Sequence, residues 1–112
     1  MSIADKAKGY AQSAQASAER ARALASASGL RSSRMWDYVE YAGQSARRAQ
    51  EYASAAAGYA SAHNIPTANA QLRACQNEAY GASSNADQVA QEIEKRRLDD
   101  FFADLNRANE TK

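Results

Sequence analysis

Large aliphatic and aromatic core residues are scarce in this 112-residue chain. Leu, Ile, Val and Phe together number only 12, a fraction below the roughly 20% at which chains of high net charge become disordered. The net charge here is only +1, so the disorder argument does not carry over. No stretch approaches the ~18 consecutive apolar residues of a transmembrane helix, and we expect no membrane-spanning segment.

Cysteine, histidine and proline each occur once. The lone Cys75 excludes an internal disulfide framework and a multi-cysteine metal site, and its spacing predicts a small core residue. His63 has no neighbouring ligand, so no metal site is predicted. Because no Ser/His/Asp grouping, phosphate loop or carboxylate pair stands out, we expect neither an enzyme, nor a cofactor, nor a small-molecule substrate.

Alanine is what the sequence has in abundance, with 28 residues. Many of them alternate in steps of three and four, the spacing of the core positions of a coiled coil. The first such series is Ala4, Ala7, Ala11, Ala14, Ala18, Ala21 and Ala25, and the second is Val39, Ala42, Ala46, Ala49, Ala53, Ala56 and Ala60. Since alanine is also the strongest helix former, both series predict helices with narrow, alanine-lined seams.

Gly29 and the Asn64-Ile65-Pro66 segment interrupt the helical pattern, because Gly ends helices and Pro is tolerated only near a helix start. We predict helices over about 3–28, 33–63 and 66–108 in one domain spanning 1–112. Short connections favour antiparallel neighbours. The expected fold is therefore all-α, either an antiparallel three-helix bundle or coiled-coil-like helical hairpins with alanine-rich seams.

The third predicted helix carries larger core residues at the same spacing, and the series ends where it meets Arg96. If helices two and three fold about residue 64 or 65, everything beyond about residue 95 extends past the bundle by roughly 20 Å. An apolar group then resumes in a shifted phase: Leu98, Phe101, Phe102 and Leu105. The segment 95–112 is thus a candidate protruding interaction segment.

Two interpretations of this apolar group stay open. In the first, the four side chains form an interface with another copy or another protein, as a helix docks into a groove. In the second, the segment folds back over the turn at Leu30, Met35 and Trp36 and completes the core of the monomer. Because alanine seams bury little apolar area, we expect extra burial through a homo-oligomer or a second structural protein.

Arginines gather near the first turn of the chain, at Arg20, Arg22, Arg31 and Arg34. We considered this basic turn as a nucleic-acid site, but the modest basic excess argues against nucleic acid as a partner. The simpler interpretation is a complementary surface, in which Asp99, Asp100 and Asp104 of the third helix lie near the basic turn.

The runs Tyr10-Ala-Gln-Ser-Ala-Gln-Ala-Ser-Ala-Glu-Arg-Ala and Ala49-Gln-Glu-Tyr-Ala-Ser-Ala-Ala-Ala-Gly-Tyr-Ala-Ser-Ala resemble the alanine- and serine-rich coiled-coil segments of bacteriophage tail fibres and virion appendages. The resemblance is compositional and covers about residues 4–62. It implies a structural role in a virion or tail appendage. The breaks at Gly29 and Pro66 and the short length fit a small component such as a fibre adaptor better than a complete fibre.

The alternative hypothesis is that the chain is a small cytosolic helical regulator or inhibitor that binds one target protein. The N-terminal Met1-Ser-Ile-Ala-Asp-Lys segment lacks the apolar stretch that a signal peptide requires. We therefore expect a location in a virion or in the bacterial cytoplasm.

Overall fold

Three α-helices make up the computed structural model, which describes residues 1–110. They are α1 (Ile3–Ser28), α2 (Ser33–Ser61) and α3 (Ile65–Glu110). All three pack against one another, so the predicted all-α three-helix bundle is confirmed. The last two residues of the predicted segment 95–112 lie outside the described residues.

Local capping explains why α1 ends and α2 begins where the sequence predicted. The Ser2 hydroxyl accepts a hydrogen bond from the Asp5 backbone N–H at the start of α1. Gly29 ends α1 in the left-handed conformation, with φ of 69°, which a residue without Cβ adopts at little cost. The Ser32 hydroxyl then accepts from the Met35 N–H and starts α2.

The connection between α2 and α3 is tighter than predicted. His63 adopts a left-handed conformation, with φ of 60°. Its N–H donates to the Ala60 carbonyl while the Asn64 N–H donates to the Tyr59 carbonyl, the pair of bonds that defines a Schellman motif. The Asn64 side chain also accepts from the Thr67 N–H. As a result, α2 ends at Ser61 instead of 63, and α3 starts one residue earlier than predicted, at Ile65.

The helices alternate in direction. Arg48 of α2 lies 3.0 Å from Glu78 of α3, and Arg34 of α2 lies 3.5 Å from Glu92 of α3. Residue numbers therefore rise along α2 as they fall along the adjacent part of α3. Arg20 of α1 lies 2.7 Å from Asp87 of α3, near the same end of the bundle as the Arg34 pair. Both neighbours in sequence are therefore antiparallel, and α1 runs parallel to α3.

Small side chains dominate the core. Thirteen of the eighteen buried hydrophobic residues are alanines, and the largest fully buried side chains are Met35, Val89 and Cys75. The bulkier residues, Met35, Val39, Val89 and Ile93, lie in one cluster near the α1–α2 turn. The other cluster is built from alanines and Cys75. Alanines let the helix backbones approach closely, but each contributes little buried area, so most of the burial energy comes from the first cluster.

The molecule is long and thin, with extents of 75 × 18 × 16 Å. With 46 residues against 29 in α2, α3 continues past the α1–α2 turn. Its last buried residue is Ile93, and every residue from 94 to 110 is exposed. These seventeen residues, called the C-terminal extension below, are about 25 Å long at 1.5 Å per residue.

Candidate protein-interaction site

The C-terminal extension carries a stripe of large apolar side chains in contact with solvent. The exposed fractions are 48% for Leu98, 60% for Phe101, 55% for Phe102 and 47% for Leu105. Their spacing of three and four residues places all four on one side of the helix. Within the described residues, no part of α1 or α2 covers them. We call these four side chains the apolar stripe.

The two phenylalanines contact each other. Their ring centroids are 5.6 Å apart and the ring planes meet at 70°, the edge-to-face geometry that aromatic pairs favour. The contact orients both rings yet leaves more than half of each side chain exposed. A neighbouring molecule would therefore meet a preformed aromatic surface.

The interpretation in which the segment folds back onto the first turn is wrong for this structure. Met35 is fully buried by other residues, among them Val89 and Ile93, and Leu30 packs against that same cluster. The core near the turn is complete without the stripe. Since α3 continues as an unbroken helix to Glu110, the stripe cannot turn back toward α1 and α2.

Charged residues lie mainly on the side of the extension that faces away from the stripe. Arg96 lies 3.7 Å from Asp100, and Arg107 lies 2.7 Å from Asp104. All four side chains are more than 60% exposed, so these pairs contribute little to stability. Both ion pairs form within α3 itself, at i, i+4 and i, i+3 spacing.

The predicted basic turn does not form one cluster. Arg20 is bound to Asp87 on α3, whereas Arg22 lines a separate cavity with Val39 and Arg47. Sequence proximity near a turn does not place side chains together, because residues two apart on a helix point in different directions. Arg31 and Arg34 line one cavity to which Arg20 and Arg22 do not contribute, which leaves a smaller positive region than the sequence predicted.

That cavity lies where the start of α2 meets α3 and measures about 470 Å³. Arg31 and Arg34 share it with Asp99 and two further basic residues of α3, Lys95 and Arg96. The expected proximity of acidic residues to the turn therefore holds for Asp99, whereas Asp100 and Asp104 pair within α3. Interaction with Tyr38, and then the charge of Glu92, raises the pKa of Arg34, so its guanidinium stays charged.

Cys75 is a buried core residue, as predicted. Its thiol lies 3.2 Å from the Ala49 carbonyl oxygen and 3.4 Å from that of Ala7, so it contacts both other helices. Burial raises the pKa of the Cys75 thiol. A protonated thiol in contact with two carbonyls is a poor nucleophile, and this residue is structural.

Sequence reasoning missed a shallow groove beside the base of the extension. It measures about 290 Å³ and lies between α1 and α3, lined by Leu24, Ala27, Ala90, Ile93 and other residues. Leu24 is one of only two large aliphatic residues within α1 and lies off the alanine series, a signal that could have indicated this groove.

Two features are absent from residues 1–110. No group of three or more His, Cys, Asp or Glu side chains is placed to hold a metal ion. No described helix combines the length and the apolar character needed to cross a bilayer.

Comparison with known proteins adds no identity, since no family model, curated protein or solved structure matches this chain. The compositional resemblance to phage fibre segments therefore stays a prediction. The apolar stripe and its surroundings are the structural features that bear on function.

Proposed function

We propose that this chain is a non-enzymatic assembly protein. In this proposal the three-helix bundle is a scaffold, and the C-terminal extension binds another protein molecule through helix–helix contact. One observation supports it above the others: four large apolar side chains, Leu98, Phe101, Phe102 and Leu105, lie in one stripe and are 47–60% exposed. The bundle itself buries mostly alanine, so the largest unused source of burial energy lies outside it.

The energetic argument rests on size. Full burial of a Leu or Phe side chain contributes about 1.5–3 kcal/mol, and aromatic anchors often dominate the energy of an interface. Spacing of three, four and seven residues is the pattern by which an amphipathic helix fills a groove on its partner. Leu98, Phe101, Phe102 and Leu105 have this spacing.

The more specific proposal is a small component of a bacteriophage virion or tail appendage. The alanine- and serine-rich runs of α1 and α2 support it through their resemblance to fibre segments. A rod-like molecule 75 Å long that ends in a single projecting helix also suits a part that joins two larger components. Detection of the chain in purified particles of the phage that encodes it is the expected result, and its absence from them would overturn this specific proposal.

Photo-crosslinking tests the interface. The residue p-benzoylphenylalanine is placed at Phe102 or, as a control, at Tyr80, which is 61% exposed on the bundle part of α3. In cells that naturally produce the chain, position 102 is expected to crosslink to a defined protein and position 80 is not. No crosslink at 102, or equal crosslinking at both positions, would contradict the proposal.

The identity of the crosslinked protein separates the specific functions. A structural protein of the particle supports the virion component. A single cytosolic enzyme or transcription factor supports instead the small helical regulator, which uses the same stripe for a different purpose.

A further inference from the structure

Glu94 is a carboxylate on the same side of α3 as the apolar stripe. Eleven residues are close to three helical turns, so Glu94 lies within about 20° of Leu105 around the helix axis and within about 40° of Leu98. Its side chain is exposed, and it takes part in none of the ion pairs within residues 1–110. A partner that covers the stripe and continues toward the bundle therefore also covers this charge.

The surface continues past Glu94 into the groove between α1 and α3. Two rows of residues at i, i+4 spacing lead there: Ala90, Glu94, Leu98 and Phe102 in one row, and Ile93, Arg97, Phe101 and Leu105 in the other. The first two members of each row line the groove of about 290 Å³, together with Leu24 and Ala27 of α1. Rows of this spacing form the ridges and grooves into which a second helix packs.

The length of this combined surface suits a short helix. From Ala90 to Leu105 it measures about 22 Å at 1.5 Å per residue, which corresponds to about four helical turns of a partner. The apolar contacts lie at both ends, on the stripe and in the groove, and Glu94 lies between them.

Glu94 determines the chemistry of the partner. A carboxylate that is removed from water without a counter-charge strongly opposes binding. The partner therefore carries a basic residue where it meets Glu94. Arg97 lies at the edge of the same surface, where it lines the groove, and it too takes part in none of the ion pairs within residues 1–110. An acidic residue of the partner is the complement at that edge.

The stripe of a second copy does not supply this basic residue. Antiparallel packing of two stripes about their centre places Leu98 against Leu105, and the same register places Glu94 against Asn109. Parallel packing in register places Glu94 against its own equivalent. Arg107, near the tip, points to the opposite side of α3, about 180° from Leu98. The charge pattern therefore indicates a different protein as the occupant.

We propose that the apolar stripe and the groove between α1 and α3 together bind one amphipathic helix of a different protein, and that this helix carries a lysine or arginine against Glu94. The inference rests on the proposed function, since it states the chemistry of the partner at the same surface. The four side chains of the stripe supply most of the apolar contact. Glu94 provides specificity, because a helix with an acidic residue at this point is rejected.

Photo-crosslinking maps the extent of the surface. The residue p-benzoylphenylalanine is placed at Ala27, which lines the groove, at Phe102, and at Ala103 as a control, about 140° from Leu98 around α3. In cells that naturally produce the chain, positions 27 and 102 are expected to crosslink to the same protein and position 103 much less. A crosslink at 102 without one at 27, or crosslinks from 27 and 102 to a second copy of this chain, would overturn the inference.

Charge reversal tests the role of Glu94. The protein that crosslinks at position 102 is titrated against wild type, Glu94→Lys and the control Asp100→Lys, which makes the same change of charge about 160° from Leu98. We expect Glu94→Lys to weaken the affinity about tenfold or more and Asp100→Lys to change it less than about threefold. Circular dichroism checks that both variants stay helical. Equal affinities of the two variants would overturn the inference.

The two proposals can fail separately. If position 102 crosslinks to a defined protein while Glu94→Lys binds it as Asp100→Lys does, the basic helix is wrong as the partner and the assembly function stands. If position 102 crosslinks to nothing, the assembly function is wrong, and this inference is wrong with it.

Discussion

Phe101 and Phe102 stand edge to face, with ring centroids 5.6 Å apart, on the C-terminal extension of α3, which no other described part of the chain covers. Adjacent residues on a helix point about 100° apart, so both rings can contact one partner only if that partner spans a broad side of the helix. A second helix lying along α3 does this. The pair therefore marks the centre of the surface on which the proposed function depends.

Truncation of Met35 is expected to be the most damaging single change in the bundle. Met35 is fully buried and is the largest such side chain. Met35→Ala should lower the free energy of unfolding by about 2–5 kcal/mol, measured by urea denaturation at a concentration where the chain is monomeric. The matched control is Leu105→Ala, since Leu105 is 47% exposed and its truncation should change the monomer by no more than about 0.5 kcal/mol. Equal losses for both variants would contradict the division into core and extension.

Replacement of His63 by glycine is expected to relieve backbone strain and stabilise the chain. It adopts a φ of 60° within the Schellman motif that ends α2, a conformation that costs L-residues roughly 1–2 kcal/mol. His63→Gly should raise the free energy of unfolding by up to about 1 kcal/mol, part of the gain being offset by the entropy of Gly in the unfolded chain. His63→Ala keeps the Cβ and should give no such gain. Stabilisation by both variants would point to removal of the imidazole, not relief of backbone strain.

Replacement of two exposed glycines within helices by alanine is expected to stabilise the chain. A Cβ added at Gly9 or Gly58 meets nothing within 4 Å, and alanine is favoured over glycine inside a helix by about 1 kcal/mol. Gly9→Ala and Gly58→Ala should therefore each raise the thermal midpoint. Gly29→Ala is the contrasting control, because its φ of 69° makes any Cβ unfavourable, and it should lower the midpoint. If Gly9→Ala or Gly58→Ala destabilises the chain, that glycine packs against something in solution, such as a neighbouring copy.

Alkaline pH is expected to destabilise the bundle in part through Cys75. Burial raises the pKa of its thiol, so above the ordinary thiol pKa the unfolded chain binds fewer protons than the folded one. By linkage, this contribution to stability is complete below the ordinary thiol pKa and falls as the pH rises above it toward the folded-state value. The loss of stability on raising the pH should be smaller in Cys75→Ala than in wild type, measured by urea denaturation across that range. An identical pH dependence in both proteins would contradict the assignment.

The fold could be predicted because the hydrophobic periodicity and the positions of the helix-ending and helix-capping residues agree in this chain. The alanine series fixed the buried sides of α1 and α2, and Gly29 and Ser32 determined the first turn. The second turn was misplaced by one or two residues, since nothing in a sequence shows that His63 will adopt a left-handed conformation. The helix count and direction follow from local rules, whereas the exact ends depend on capping geometry.

The candidate site could be predicted only in part. The predicted lengths of the second and third helices indicated that Leu98 and its neighbours lie beyond the bundle, and in the structure these side chains are exposed there. The basic turn was wrong as a cluster because Arg20 and Arg22 face different neighbours, a distinction that requires the packing angle of α3 against α1 and α2. The groove at Leu24 was missed for the same reason.

Solution mass is the most direct test of the central claim, which is that the apolar stripe is the surface of association. Wild type, Phe101→Ser/Phe102→Ser and the control Tyr80→Ser are compared by sedimentation equilibrium over the same concentration range, each alone and mixed with the protein that crosslinks at position 102. Serine and phenylalanine have similar helix propensities, so the monomer should stay folded in all three. The account predicts a complex heavier than the monomer mass of 12.1 kDa for wild type and Tyr80→Ser, and no such complex for the phenylalanine variant. A wild type that forms no complex either alone or in the mixture, or a phenylalanine variant that associates as wild type does, would contradict it.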